Sequence, residues 1–174
     1  MSGDIKQELH ELFSMFHDFR IVSLSSVNKN LSLTIAIPWG ELWDDLNYQI
    51  RLELDGCDSL ICNYSECINT NEHFPASSQK NIWVDKTTND HKLISELELE
   101  VQSHEFSPPN KYVFKCNSSR CISNNPIDSR DLIGGGELFF TTESYSIFDK
   151  DWKQIDLNKM KKWCAEWWDK IDNQ

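Results

Sequence analysis

The feature that most constrains this chain is a change of hydrophobic period, from helical at both ends to two-residue alternation between them. Residues 4–17 carry a helical stripe made of Ile5, Leu9, Leu12, Phe13 and Phe16. A second stripe near the C-terminus consists of Leu157, Met160, Trp163, Cys164, Trp167, Trp168 and Ile171. The spacing predicts a helix at each end, and Asp4 and Asp156 are suited to cap them.

The central part of the chain alternates between apolar and polar side chains, which is typical of half-buried strands. Residues 21–37 predict a β-hairpin, because alternating residues from Leu31 onward follow the turn signal Asn28-Lys29-Asn30. Further alternating runs lie at 48–54, 60–64, 93–101, 111–116 and 138–147. Short connections between successive strands favour antiparallel pairing.

These elements predict an α+β fold, a curved antiparallel sheet of about seven strands with N-terminal and C-terminal helices packed on it. The length of 174 residues suits a single domain over 1–174. The polar segments 65–90 and 117–136 are predicted loops. The first contains an apolar island at 82–84 that is either a short strand or an anchor, and Gly134-Gly135-Gly136 is predicted to be a flexible turn.

The charge balance narrows the classes of partner. The chain has 17 Lys and Arg against 28 Asp and Glu, a net charge of −11. Such a surface repels nucleic acid and anionic membranes and attracts a basic partner. The apolar runs fall far short of the ~20 residues of a membrane span, and the polar start lacks a signal peptide, so we expect a cytoplasmic protein.

The cysteines allow two interpretations. Cys57, Cys62, Cys67, Cys116 and Cys121 form three C-x4-C spacings, which a zinc site permits. Two cysteines five residues apart in a strand face opposite sides, however, and a cytoplasmic chain keeps its thiols reduced. Together with Cys164, they are therefore interpreted first as free thiols that pack as small hydrophobes.

Two groups of residues are candidates for binding a partner. Glu96, Glu98 and Glu100 are predicted to lie on one face of a strand, as a row for a basic partner or a divalent cation, or simply as a solvated face. The second group combines aromatic anchors with acids that steer a cation. Its members are Trp39, Glu41, Trp43, Asp44 and Asp45. Alternatively, these tryptophans cap the edge of the sheet.

No catalytic motif stands out. None of the five histidines forms an H-x-x-x-H pair, and His17-Asp18 is interpreted as a structural pair. The triglycine lacks the Lys-Ser/Thr of a phosphate loop. The tryptophans of the C-terminal stripe are expected in the core, with Trp168 partly exposed. We therefore expect no enzyme, cofactor or metal, although a nucleophile and base can converge from distant positions.

Three stretches resemble small bacterial β-rich proteins of the toxin–immunity type. They are Phe16-His17-Asp18-Phe19-Arg20-Ile21, Leu31-Ser32-Leu33-Thr34-Ile35-Ala36-Ile37 and Ile50-Arg51-Leu52-Glu53-Leu54-Asp55-Gly56-Cys57-Asp58-Ser59-Leu60. The resemblance covers roughly the first 65 residues. It implies a non-catalytic protein that neutralises a toxin by binding it.

Charge and resemblance together give a functional hypothesis, an acidic immunity protein or inhibitor that occludes a basic toxin domain as a monomer or homodimer. The alternative is a module that binds a small apolar ligand between the sheet and the Trp-rich helix.

Overall fold

The computed structural model describes residues 3–36, 49–69, 81–118 and 134–172. Its helices are α1 (Gly3–Ser14), α2 (His91–Glu96) and α3 (Leu157–Asp172). Its strands are β1 (Arg20–Val27), β2 (Asn30–Ala36), β3 (Gln49–Asp55), β4 (Leu60–Asn69), β5 (Asn81–Thr88), β6 (Leu99–Ser107), β7 (Lys111–Ser118), β8 (Gly134–Thr141), β9 (Ser144–Phe148) and β10 (Gln154–Ile155). The α+β class is confirmed and a helix lies near each end, but α1 ends at Ser14, so Phe16 of the predicted helical stripe follows the helix.

The ten strands of these ranges form one antiparallel sheet in the order β10-β9-β3-β2-β1-β6-β7-β8-β4-β5. The predicted hairpin is present as β1 and β2, paired from Arg20 opposite Ala36 to Val27 opposite Asn30, with a register shift between Ile21 and Ser23. The expectation of about seven strands is wrong. The extra strands come from polar sequence and from a split of the last predicted strand into β8 and β9.

The sheet has two halves that share a bent ribbon. One side of the ribbon runs from β3 into β4, and the other side runs from β8 into β9. β3 pairs with β9, whereas β4 pairs with β8. The two connections, 56–59 and 142–143, therefore lie side by side where the ribbon passes from one half of the sheet to the other.

Hydrogen bonds hold this bend. The hydroxyl of Thr142, which is fully buried, lies 2.9 Å from the carbonyl oxygen of Asp55 and 2.8 Å from that of Ser144. Thr141 Oγ1 accepts the N–H of Asp58 at 2.8 Å and donates to the carbonyl of Gly56 at 3.2 Å. Polar groups in and next to each connection are thus hydrogen-bonded to groups in and next to the other.

The predicted loop 65–90 is wrong in part, because β4 extends to Asn69 and residues 81–88 form β5. The apolar island at 82–84 belongs to that strand. Cross-strand hydrogen bonds compensate for its polar composition. Thr87 Oγ1 donates to Asn63 Oδ1 at 2.9 Å, and Ser65 Oγ donates to Asp85 Oδ1 at 2.8 Å.

The predicted strand 93–101 is also wrong, because its first half is the short helix α2. Asp90 caps the helix by accepting the N–H groups of Lys92 and Leu93 at 2.9 and 3.3 Å. Ile94 and Leu97 are then buried on one side. The cap residue favours the helical turn over the strand that alternation alone predicted.

The triglycine is not a flexible turn, since Gly134–Gly136 begin β8 and pair with β7 on one side and, at Gly136, with β4 on the other. The ladder with β7, joined at Gly136 by that with β4, holds the glycines in extended conformation despite their entropic cost.

The core is aromatic and surrounds α1. The ring of Phe13 packs edge-on against Tyr112 and Phe114, with centroids 5.1 and 5.0 Å apart, and also contacts Phe140. Phe16 stacks on Phe19 at 5.7 Å. The predicted apolar stripe of the N-terminal helix is therefore confirmed as the face that fills the concave side of the sheet.

The bend of the ribbon gives a first prediction. Gly56 has a φ of +76°, and a Cβ there would lie 2.7 Å from Glu143 Cγ. Gly56→Ala should lower the free energy of unfolding by about 1–2 kcal/mol, because an L side chain is strained in this region. Urea denaturation followed by tryptophan fluorescence measures it.

Gly135→Ala is the matched control. A Cβ at Gly135 meets no atom within 4 Å, and its φ is not positive. This substitution should raise the free energy of unfolding by about 0.4–1 kcal/mol, because it restricts the unfolded chain. Equal stability of the two variants would contradict the role assigned to the bend.

Candidate functional site

An open groove of about 500 Å³ lies between α1, the β9–β10 edge of the sheet and the start of α3. α1 contributes Ile5 from its apolar stripe and, beside that stripe, Glu8 and Glu11. The amphipathic pattern that buries Leu9 and Leu12 therefore also directs two carboxylates to the rim of the groove.

The floor and far wall come from the C-terminal part of the chain. Ile147 of β9 and Ile155 of β10 are buried beneath the groove. Asp156 stands at its end as the cap of α3 and accepts the N–H of Lys159 at 2.7 Å. The capping role predicted for Asp156 is confirmed, and it fixes the carboxylate at the groove.

Two contacts join the walls. The Tyr145 hydroxyl donates to Glu8 Oε2 at 3.0 Å, and the Lys161 ammonium binds the Glu11 carboxylate. Burial, followed by the hydrogen bond and charge of Glu8, raises the pKa of Tyr145 well above its usual range. The phenol therefore remains a donor at neutral pH. Hydrogen bonds from Lys161 and then Gln7 lower the pKa of Glu11.

The groove thus presents three carboxylates, one ammonium group and an apolar floor. This combination suits a long basic side chain, whose aliphatic stem can cover the isoleucines while its charged end meets the acids. The spacing of Glu8 and Glu11 on the helix was visible in the sequence. Their meeting with Tyr145, more than 130 residues away, was not.

The predicted acidic row does not exist as a row. Glu96 ends α2, Glu98 follows it with a φ of +50°, and Glu100 lies in β6. Glu96 is 4.0 Å from Lys92, and Glu100 accepts a hydrogen bond from Gln102 at 3.0 Å. Because the capped helix α2 replaces the first half of the predicted strand, the three glutamates lie in a helix, a connection and a strand. They therefore do not share one strand face.

The second predicted group lies outside the described residues. Its members are Trp39, Glu41, Trp43, Asp44 and Asp45. Their role in partner binding stays a prediction.

The expectation that the tryptophans of α3 lie in the core is met only in part. Among the described side chains of α3, Met160 and Cys164 are buried, and Trp163 packs partly buried against the hydrophobic core. Trp168 is 38% exposed, which confirms its predicted partial exposure. The side chain of Trp167 is outside the described part of the chain.

Four cysteines are buried free thiols, as the first interpretation predicted: Cys57, Cys62, Cys116 and Cys164. Within the described ranges, no three His, Cys, Asp or Glu side chains are grouped so that they could hold a metal ion. Cys121 and the side chain of Cys67 fall outside those ranges, so the zinc hypothesis for the full set stays open.

No family model matches the chain, and neither a curated protein nor a solved structure matches it. In the part of the chain that the structure describes, no helix has both the length and the apolar character needed to cross a membrane.

The thiols give a second prediction. Burial raises the pKa of Cys62 to about 12 and that of Cys164 to about 11, so both stay protonated and unreactive at pH 8. Iodoacetamide should leave them unmodified in native protein and alkylate them in urea. Peptide mapping by mass spectrometry reads each site separately, and native alkylation of Cys62 as rapid as that of the unfolded chain would contradict the prediction.

Proposed function

We propose that this protein is a non-catalytic acidic binding protein, an inhibitor of the immunity type that occludes a basic domain of a toxin. The groove between α1, β9 and α3 is the contact proposed for basic side chains of the partner. Acidic groups steer the encounter over a long range, and the apolar floor supplies surface that becomes buried in the complex.

The observation that carries the proposal is that Glu8, Glu11 and Asp156 line the same groove as an apolar floor. The chain as a whole has a net charge of −11. Lys161 already binds Glu11 in the free protein. The groove therefore accommodates an ammonium group in contact with a carboxylate, the arrangement that a basic partner would repeat.

Binding of a small apolar ligand between sheet and helix is the alternative. On the face of α3 that meets the core, the side chains of Met160 and Cys164 are buried in the hydrophobic cluster. This packing favours the inhibitor proposal, since a ligand there would have to displace core side chains.

The proposal predicts a charge-dependent interaction that maps to the groove. A basic protein captured from source lysate at low salt and identified by mass spectrometry should bind the purified wild-type protein in calorimetry, with weaker binding at higher salt. The triple variant E8Q/E11Q/D156N should weaken its Kd at least tenfold. Asparagine retains the cap of α3, so this variant keeps its fold.

The control carries the same change of charge elsewhere. Asp85, Glu105 and Glu137 lie on β5, β6 and β8 in the other half of the sheet. The variant D85N/E105Q/E137Q should change the Kd less than threefold. If both triple variants weaken binding equally, the groove is not the contact. If no basic protein binds at either salt concentration, the inhibitor proposal is wrong.

The same assay tests the acidic residues predicted from sequence. E96Q/E98Q/E100Q removes three charges around the start of β6, and a loss of affinity comparable to that of the groove variant would extend the interface to this region. An unchanged Kd would make these residues a solvated surface.

A further inference from the structure

Two histidines separated by most of the chain meet where α1 crosses β6. Nδ1 of His10 lies 2.8 Å from Nε2 of His104, with ring centroids 4.7 Å apart and ring planes inclined at 58°. One nitrogen donates and the other accepts, so both are directed towards the space between the rings. The fold therefore brings two imidazole nitrogens to a common point from independent elements.

The separation of the nitrogens matches neighbouring positions around a transition metal. Nitrogen ligands about 2.0–2.1 Å from an ion and about 90° apart are separated by about 2.9 Å. A tetrahedral angle would instead separate them by about 3.4 Å. The observed 2.8 Å fits two adjacent positions of a square-planar or octahedral ion.

The surroundings suit such an ion. Phe13 packs edge-on against the ring of His104, with centroids 6.2 Å apart, and so restricts its orientation. His10 is exposed on the other side. Within the described residues no third potential ligand is grouped with this pair.

We propose that His10 and His104 chelate a divalent transition-metal ion of tetragonal preference, Ni²⁺ or Cu²⁺, which takes the place of the hydrogen bond between them. Imidazole nitrogen is a favoured ligand of both ions. The site is separate from the groove and does not depend on the inhibitor proposal.

Metal binding has a structural consequence. The ion would join α1, which fills the core, to β6 in the sheet. Because the two histidines are 94 positions apart, the unfolded chain does not present them together. The ion would bind the folded state preferentially and stabilise it by mass action.

The test uses untagged protein, because an affinity tag of histidines would bind the same ions. Ni²⁺ titrated in calorimetry should bind with one-to-one stoichiometry at this site and raise the Tm of the wild type. His10→Ala and His104→Phe should each weaken the affinity at least tenfold and abolish the rise in Tm. Phenylalanine keeps a ring against Phe13, and His10 is exposed, so both variants retain the fold.

His17→Ala is the matched control. His17 is 57% exposed and pairs with Asp18 at 2.8 Å, outside the proposed site. Its removal should change Ni²⁺ affinity less than twofold. If His10→Ala and His17→Ala bind Ni²⁺ as the wild type does, the metal is adventitious and the proposal fails.

Electron paramagnetic resonance of Cu²⁺ at one equivalent provides a second readout. Hyperfine coupling to two imidazole nitrogens in the wild type, reduced to one in His104→Phe, would support the chelate. A spectrum with a single nitrogen in the wild type would overturn it even if the calorimetric affinity is high.

Discussion

The bend in the β3–β4/β8–β9 ribbon is the constraint on which the rest of the structure depends. At this point the chain must leave one half of the sheet and enter the other without leaving buried polar groups unpaired. The Thr142 hydroxyl lies between the carbonyl oxygens of Asp55 and Ser144 and shares its one hydrogen between them, and the Asp55 carbonyl also accepts the N–H of Glu143 at 2.8 Å. The two halves can then curve around α1 and share one core.

The junction between β1 and β6 complements the bend. Their ladder is short, with Arg20 opposite Glu100, and continues only through the bonds between Val101 and residues 18 and 19. Beyond it, the Ser95 hydroxyl of α2 accepts the N–H of Leu24 at 2.9 Å. On the side of β1 away from β2, a helix thereby takes the place of a strand beyond the short ladder with β6.

The groove and the histidine pair both follow from the position of α1. The helix buries its aromatic stripe in the concave side of the sheet, so the residues beside the stripe must contact the sheet at its margins. On one side Glu8 reaches Tyr145 of β9, and on another His10 reaches His104 of β6. Sites at such margins combine side chains from distant parts of the sequence.

The sequence by itself determined the local elements whose hydrophobic period is strong: α1, α3, and strands such as β2 and β3. The alternation at Leu31, Leu33 and Ile35 is visible from the order of apolar and polar residues alone. The strand can therefore be predicted without knowledge of the fold. Only the tertiary structure decided the extent of β5 and the extended triglycine, because paired strands supply their hydrogen bonds. It also decided the sites, since contacts such as Glu8 with Tyr145 depend on strand order and helix position, which no local pattern encodes.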